Sequence, residues 1–167
     1  LGALRRATGK RTEALAAYKA AVEANHNDAS AHAQIGRLEI DLGKPENALP
    51  ASELALRLSP ADPQRPLWYT IAGLAKLHLN APSEAQEWLT KAVDAGPHFV
   101  TALVFLAAAQ QIDGRDAEAR RAIEAARAMS PALSISRVER QFAPESPRLR
   151  ESWQRILDAL RRAGLPD

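Results

Sequence analysis

The chain has 167 residues, of which 46% are hydrophobic and 25% are charged, and its net charge is +2. These values are those of a globular domain that can bury a core, and they exclude a disordered tail. Acidic and basic residues are interspersed, so no basic patch indicates nucleic acid or an anionic membrane as a partner. There is no cysteine, which excludes disulfides and thiolate chemistry.

The start of the chain, LGALRR, has neither an initiator Met nor a signal-peptide pattern. We therefore expect the chain to be part of a longer polypeptide. No apolar run approaches the roughly 20 residues that a membrane-spanning helix needs. The expected compartment is the cytoplasm, or the periplasm if the parent protein spans the membrane.

One sequence pattern occurs four times, at residues 8–26, 42–60, 79–97 and 113–131. The copies begin with turn residues that are 34, 37 and 34 positions apart, namely Gly9, Gly43, Asn80 and Gly114. Two sets of alanines keep this spacing: Ala14, Ala48, Ala85 and Ala119, and Ala21, Ala55, Ala92 and Ala126. Gly, or Asn in its place, ends a helix in the left-handed conformation, and small alanines let two helices approach closely. Each copy therefore predicts a turn followed by a tightly packed helix.

A matching first helix precedes three of these turns, at residues 29–42, 66–79 and 100–113. Gly36, Gly73 and Ala107 are the small residues at the expected helix crossings. Residues 1–8 retain only the end of the corresponding helix, so the first unit is predicted to be truncated. The sequence thus predicts a series of helix–turn–helix units.

Pro50 conflicts with its surroundings. Pro45 suits the start of a helix, but Pro50 falls inside the same predicted helix, where it removes the hydrogen bond to the Glu46 carbonyl. Such a proline costs about 3 kcal/mol in a helix interior. We therefore predict a bend near residues 46–50.

The repeat pattern ends after residue 133. Residues 134–142 form half a helix at most and are followed by a short linker, after which Ser146 can cap a helix with Pro147 at its first position. One apolar stripe follows at helical spacing: Leu149, Trp153, Ile156, Leu157 and Leu160. Gly164 ends this helix. We expect it to cap the last repeat, the alternative being that Trp153 anchors a partner.

These units resemble the tetratricopeptide repeat family over residues 1–133. The Leu-Gly-like pair, the turn glycine, both alanines and the terminal proline are in register, whereas Ser52 is small where the family has a bulky residue. The resemblance implies an all-α fold, a right-handed α-α superhelix with a C-terminal capping helix. Residues 1–133 would form the solenoid, with one truncated and three complete repeats, and residues 134–167 the linker and the capping helix.

The tail is similar to the C-terminal ends of certain bacterial multidomain proteins. The similarity rests on SISRVERQF, a proline-containing linker and a helix that ends in LRRAGLPD. In those proteins, tetratricopeptide repeats follow an adenylate/guanylate cyclase domain or a winged-helix regulator domain. No cyclase or winged-helix residues are present in this chain, so neither activity can be assigned to it.

The tetratricopeptide resemblance also implies a ligand groove, which the first helices line. The corresponding residues are Ser30, Ala33, Arg37, Ile40, Leu67, Thr70, Leu74, Leu77, His78, Thr101, Val104, Ala108 and Gln111. Chaperone-binding members clamp a C-terminal carboxylate with a Lys/Asn set that is missing here, so the groove is rather apolar. It suits a protein or peptide, a neighbouring domain of the same polypeptide, a second copy, or the chain's own C-terminal segment.

No catalytic or metal-binding constellation is recognised in the sequence. His26, Asp28 and His32 are close in sequence, but their spacing is irregular and zinc usually needs three or four converging ligands. The sequence contains no nucleophile elbow, and RNA-reading repeats would need polar side chains where this chain has Ala, Leu and Val. We therefore expect no enzyme, no metal and no cofactor.

The leading hypothesis is a protein–protein interaction module of a larger bacterial signalling or regulatory protein. It would bind a peptide, a helix or a neighbouring domain in its concave groove. The alternative is a purely structural spacer or a self-association domain without a separate ligand.

Overall fold

A computed structural model of the protein describes residues 2–167, with side chains from residue 9 onward, and this part of the chain is all-α. The helices are α1 (Gly2–Ala24), α2 (Ala29–Asp41), α3 (Ala48–Leu58), α4 (Arg65–His78), α5 (Pro82–Ala95), α6 (Val100–Ile112), α7 (Asp116–Met129), α8 (Ile135–Phe142) and α9 (Arg150–Arg162). Short 3-10 turns, Pro45–Asn47 and Pro147–Leu149, precede α3 and α9. No helix in this part combines the length and apolar character that crossing a lipid bilayer requires.

The helices form a two-layered solenoid. Helices α2, α4 and α6 lie side by side as an inner layer, and each packs on the outer helix that follows it, α3, α5 or α7. The C-terminal helix α9 lies across α6 and α4. The predicted all-α helical repeat solenoid is therefore confirmed.

Three of the four predicted turn residues adopt the left-handed conformation. The φ angles are +84° at Gly43, +60° at Asn80 and +79° at Gly114. After each of them, the next backbone N–H donates to the carbonyl five residues earlier, at 2.8 to 2.9 Å. This bond is the mark of a Schellman motif, which satisfies carbonyls at the helix end.

The turn predicted at Gly9 is not formed, because α1 continues through this residue from Gly2 to Ala24. The backbone hydrogen bonds on both sides of Gly9 therefore stay within one helix.

The repeated alanines are buried in the three complete units. The side chains of both sets have 0% exposure there: Ala48, Ala85, Ala119, Ala55, Ala92 and Ala126. Between them, Ser52 is also fully buried, although its hydroxyl has no hydrogen-bond partner among the described residues. In α1 the equivalent Ala14 is half-buried and Ala21 is exposed.

The helix crossings leave no room for a side chain at Gly73. A Cβ there would lie 2.5 Å from Cγ of Leu89, which is fully buried. Gly73→Ala is therefore expected to lower the free energy of unfolding by about 1–2 kcal/mol, since overpacking outweighs the gain in helix propensity. Urea denaturation measures this change.

Gly9→Ala is the matched control for this prediction. Among the side chains that the structure describes, none lies within 4 Å of a Cβ at Gly9, and the residue is helical. The substitution should raise the unfolding free energy by about 0.5–1 kcal/mol. Equal stability of the Gly73→Ala variant and the wild type would contradict the close crossing.

The structure places Pro50 differently from the sequence prediction. A 3-10 turn spans Pro45–Asn47, and the α-helix begins at Ala48, so Pro50 lies in its first turn. The backbone N–H groups of a first turn have no intrahelical partner, so a proline costs little there. The change from 3-10 to α-helix lies in the region where the bend was predicted. The energetic cost expected for a proline in a helix interior does not apply.

Candidate binding groove

The predicted groove residues lie on the inner helices, but few of them reach the surface. Four side chains are partly exposed: Ser30, Arg37, Leu67 and Thr101. The others are buried: Ala33, Ile40, Thr70, Leu74, Leu77, His78, Val104, Ala108 and Gln111. Much of the inner layer is therefore covered.

The chain's own C-terminal segment provides much of this cover. The apolar stripe of α9 packs against α4 and α6, and Ile156, Leu157 and Leu160 are at most 1% exposed. On α8, Phe142 packs edge-on against the ring of Phe105, with ring centroids 5.3 Å apart. The segment after the repeats thus covers part of the inner layer.

A buried polar contact lies between α4 and α9. The ring of His78 stacks on Trp153 with centroids 6.2 Å apart, and its Nδ1 lies 2.7 Å from the Ser152 hydroxyl. That hydroxyl donates its own hydrogen to the Leu149 carbonyl at 3.0 Å. We therefore assign the hydrogen between His78 and Ser152 to Nδ1 of the imidazole.

Burial of His78 determines its protonation. Desolvation lowers its pKa to about 4, and the positive charges of Arg37 and Arg155 contribute in the same direction. Its Nε2 is buried and has no hydrogen-bond partner in the part of the chain that the structure describes. The imidazole is consequently neutral at physiological pH.

Two arginines of the C-terminal segment bind the ends of inner helices. Arg148 donates to the Gly43 carbonyl at 2.8 Å, just after α2, and also pairs with Glu46 at 3.1 Å. Arg155 donates to the Leu77 carbonyl in the last turn of α4 at 3.4 Å. Helix C-termini carry partial negative charge and free carbonyls, so both contacts are favourable.

A charge cluster joins α1, α2 and the segment before α9. Asp41 pairs with Arg11 and, at 3.2 Å, with Arg37, while Arg11 also pairs with Glu145 at 2.7 Å. Burial raises the pKa of Asp41, and the charges of Arg37 and Arg11 oppose that shift. The guanidinium of Arg37 also lies 5.5 Å from the centroid of the Phe142 ring.

An opening remains between the inner layer and α8, a cavity of about 250 Å³ that we call the groove cavity. It is lined by Gln34, Arg37, Leu67, Thr70, Ile71, Leu74, Thr101, Phe105, Gln141 and Phe142. Five of these are predicted groove residues: Arg37, Leu67, Thr70, Leu74 and Thr101. The lining joins aliphatic and aromatic walls with a few polar groups, as ligand sites commonly do.

His26, Asp28 and His32, near the start of α2, make hydrogen bonds within this segment. Asp28 caps α2 by accepting from the backbone N–H of Ala31 at 2.9 Å, and Nε2 of His32 lies 3.0 Å from the His26 carbonyl. Within residues 9–167, no three His, Cys, Asp or Glu side chains are grouped to hold a metal ion.

The fold and the groove define a helical repeat protein whose inner layer is partly covered by its own C-terminal segment. A tetratricopeptide repeat family model matches residues 29–62, which is one repeat. No curated protein matches the sequence.

Solved structures share the fold over nearly the whole chain. A crystal structure of MamA is 19% identical, covers 93% of this chain and 91% of its own, and has a TM-score of 0.67. TTC0263, a thermophilic tetratricopeptide protein of Thermus thermophilus, is 18% identical, with 97% and 88% coverage and a TM-score of 0.65. YrrB, described as having an unusual peptide-binding site, is 20% identical, with 92% and 80% coverage and a TM-score of 0.59. At these identities the likeness concerns the fold alone.

Proposed function

We propose that the chain is a non-catalytic interaction module that binds a protein or peptide segment in the groove cavity. The main support is that five predicted groove residues line a part of the inner face that α8 and α9 leave open. The peptide-binding site of YrrB, a protein of the same fold, favours this use of the architecture.

The lining indicates the kind of segment that would bind. Leu67, Phe105 and Phe142 provide apolar walls, which suit one large apolar side chain of the partner. Gln34 and Gln141 offer amide groups that can pair with the partner's backbone. Because the guanidinium of the lining arginine already pairs with a carboxylate of α2, we expect no strong selection for an acidic partner.

A matched pair of substitutions tests this site. Thr101→Arg places a long cation in the groove cavity, whereas Thr90→Arg makes the same change at an exposed position on α5. A peptide selected from a display library on the wild-type chain should bind Thr101→Arg at least tenfold more weakly, a loss of about 1.4 kcal/mol. Titration calorimetry measures both affinities.

Two results of this titration would contradict the site. Unchanged affinity in both variants would place the peptide elsewhere on the chain. A larger loss with Thr90→Arg would place it on the outer face, where Thr90 borders a polar cleft with Ser83, Gln86 and Asp113.

The proposed setting is a larger bacterial signalling or regulatory protein in the cytoplasm. The similarity of residues 134–167 to the ends of multidomain regulators favours this setting. In that context the partner would be a neighbouring domain of the same polypeptide or a segment of another protein.

A structural spacer is the second candidate, and the cover that α8 and α9 place on the inner face favours it. A spacer needs only its length and rigidity. Exchange of the region for a helical linker of equal length would therefore preserve the function of the parent protein. An interaction module would not tolerate this exchange.

A further inference from the structure

Helix α8 packs on the rest of the protein through one apolar face. Ile135 and Val138 are only 2% exposed, and Phe142 is half-buried. These three residues are spaced i, i+3 and i+7, which places them on one side of the helix. Four polar residues on the other sides are exposed: Ser136, Arg137, Glu139 and Arg140. A separate amphipathic helix that binds in a groove has the same arrangement of apolar residues.

The contacts of Phe142 favour an aromatic residue at the last of these three positions. Its ring packs edge-on against Phe105, and the guanidinium of Arg37 lies 5.5 Å from its centroid. The ion pair with Asp41 holds that guanidinium in place. Both contacts depend on the charge distribution of an aromatic ring, so an aliphatic residue at this position would lose them.

Few polar contacts hold α8 in place. Among the described residues, one hydrogen bond joins α8 to another segment, from the N–H of Ile135 to the Pro166 carbonyl at 2.7 Å. The flanking residues 130–134 and 143–146 are not helical. Residues 130–146 can extend over about 50 Å, so α8 can leave while α7 and α9 stay in place. An isolated helix of 8 residues is marginal in water, which favours a longer helix in competition with it.

We propose that α8 occupies the binding site of a partner helix, which displaces it. The partner presents an amphipathic helix with aliphatic residues at i and i+3 and an aromatic residue at i+7, and so reproduces the contacts of Ile135, Val138 and Phe142. This inference rests on the proposed function, because Phe142 also lines the groove cavity. It identifies the bound segment as a helix that replaces Phe142, rather than one that binds beside it.

A labelled peptide of residues 133–143, LSISRVERQFA, with both ends blocked, tests this displacement. Fluorescence anisotropy measures its affinity for the whole chain, in which α8 competes for the site. Val138→Asp puts a buried charge on α8 of the chain, and Phe142→Ala removes its ring, so each variant should bind the peptide at least about tenfold more tightly than the wild type. Ser136→Asp is the matched control, since it adds the same carboxylate at an exposed position and should leave the affinity unchanged.

Two altered peptides test the aromatic position. With leucine in place of the phenylalanine, the affinity for the Phe142→Ala chain should fall by about fivefold or more. With benzoylphenylalanine in that place, irradiation should cross-link the peptide to α2, α4 or α6. Circular dichroism of each variant establishes that the solenoid is folded, and the milder Phe142→Ala carries the test if Val138→Asp is not.

Three outcomes would overturn the displacement of α8 by a partner helix. The first is equal affinity of the wild type and both α8 variants for the peptide, and the second is a cross-link outside α2, α4 and α6. The third is a wild-type chain with twice the mass of 18.1 kDa that becomes monomeric with Phe142→Ala, which would assign the site to α8 of a second copy.

The proposed function and this inference fail separately. A library-selected peptide that is lost with Thr101→Arg, but binds no more tightly to Phe142→Ala than to the wild type, would support the groove cavity and contradict the displacement. A selected peptide that Thr101→Arg does not affect would contradict the groove cavity, whatever the peptide of residues 133–143 does.

Discussion

Replacement of Trp153 by alanine is expected to lower the free energy of unfolding by about 3–5 kcal/mol, the range for a buried aromatic side chain in a core. Trp153 is only 6% exposed and stacks on the ring of His78. Its loss would leave a void between α9 and the inner helix α4. Denaturation in urea, followed by circular dichroism at a helical wavelength, gives this free energy for both chains.

Two further variants test whether lost packing causes the decrease in unfolding free energy. Trp153→Phe keeps an aromatic ring and removes an indole N–H that is buried without an acceptor, so its cost should be clearly smaller. Leu79→Ala changes a side chain that is 42% exposed and should alter stability by no more than about 0.5 kcal/mol. Little loss of stability with Trp153→Ala would mean that α9 is a detachable segment rather than part of the core.

Local chemistry made the turns between the units predictable. Gly43, Asn80 and Gly114 form left-handed helix ends because the residue type and its flanking helices determine that conformation. Gly9 carries the same local signal but lies within α1. A turn also needs two helices that pack on each other, and sequence pattern alone cannot supply that partner.

The residues on the inner helices were predictable from the repeat register. The packing of α8 and α9 over these residues was not. The contact between His78 and Ser152 joins residues 74 positions apart, and no local pattern encodes such a distance. One signal was available in the sequence: Arg148 and Arg155 lie beside the residues of an apolar stripe. In the structure, Arg148 in the 3-10 turn before α9 reaches the end of α2, and Arg155 in α9 reaches the end of α4.

Acidification is expected to destabilise the protein through His78. The pKa of its imidazole is about 4 in the folded chain and 6.5 in the unfolded one. The unfolded state therefore takes up the proton first, so this contribution is fully present above pH 6.5 and is lost as the pH falls towards 4. The difference between the two pKa values corresponds to about 3 kcal/mol of unfolding free energy.

The environment of His78 explains why the charged form is excluded. Nδ1 already donates to Ser152, so protonation would add an N–H at Nε2, which is buried without an acceptor. The new charge would also face the positive charges of Arg37 and Arg155. Burial and these two arginines are the causes of the lowered pKa of the ring, and all three disfavour its charged form.

His78→Gln isolates this effect, because glutamine does not titrate. On acidification, Asp41 raises the unfolding free energy, which is the opposite of the effect of His78. The reason is that burial raises the pKa of Asp41, so the folded form binds a proton more readily than the unfolded one. Both chains share that contribution and those of the other carboxylates. Between about pH 7.5 and about pH 4.5, the wild type should lose about 2–3 kcal/mol more than His78→Gln.

Urea denaturation of the two chains at both pH values measures the difference. An equal loss in the wild type and His78→Gln would show that His78 does not govern acid stability. The contact with Trp153 would then have to accommodate a charged imidazole, which requires water or a carboxylate to reach Nε2. Since this nitrogen is buried and the ring stacks on Trp153 near the start of α9, such access would mean that α9 separates from α4 before the rest of the solenoid unfolds.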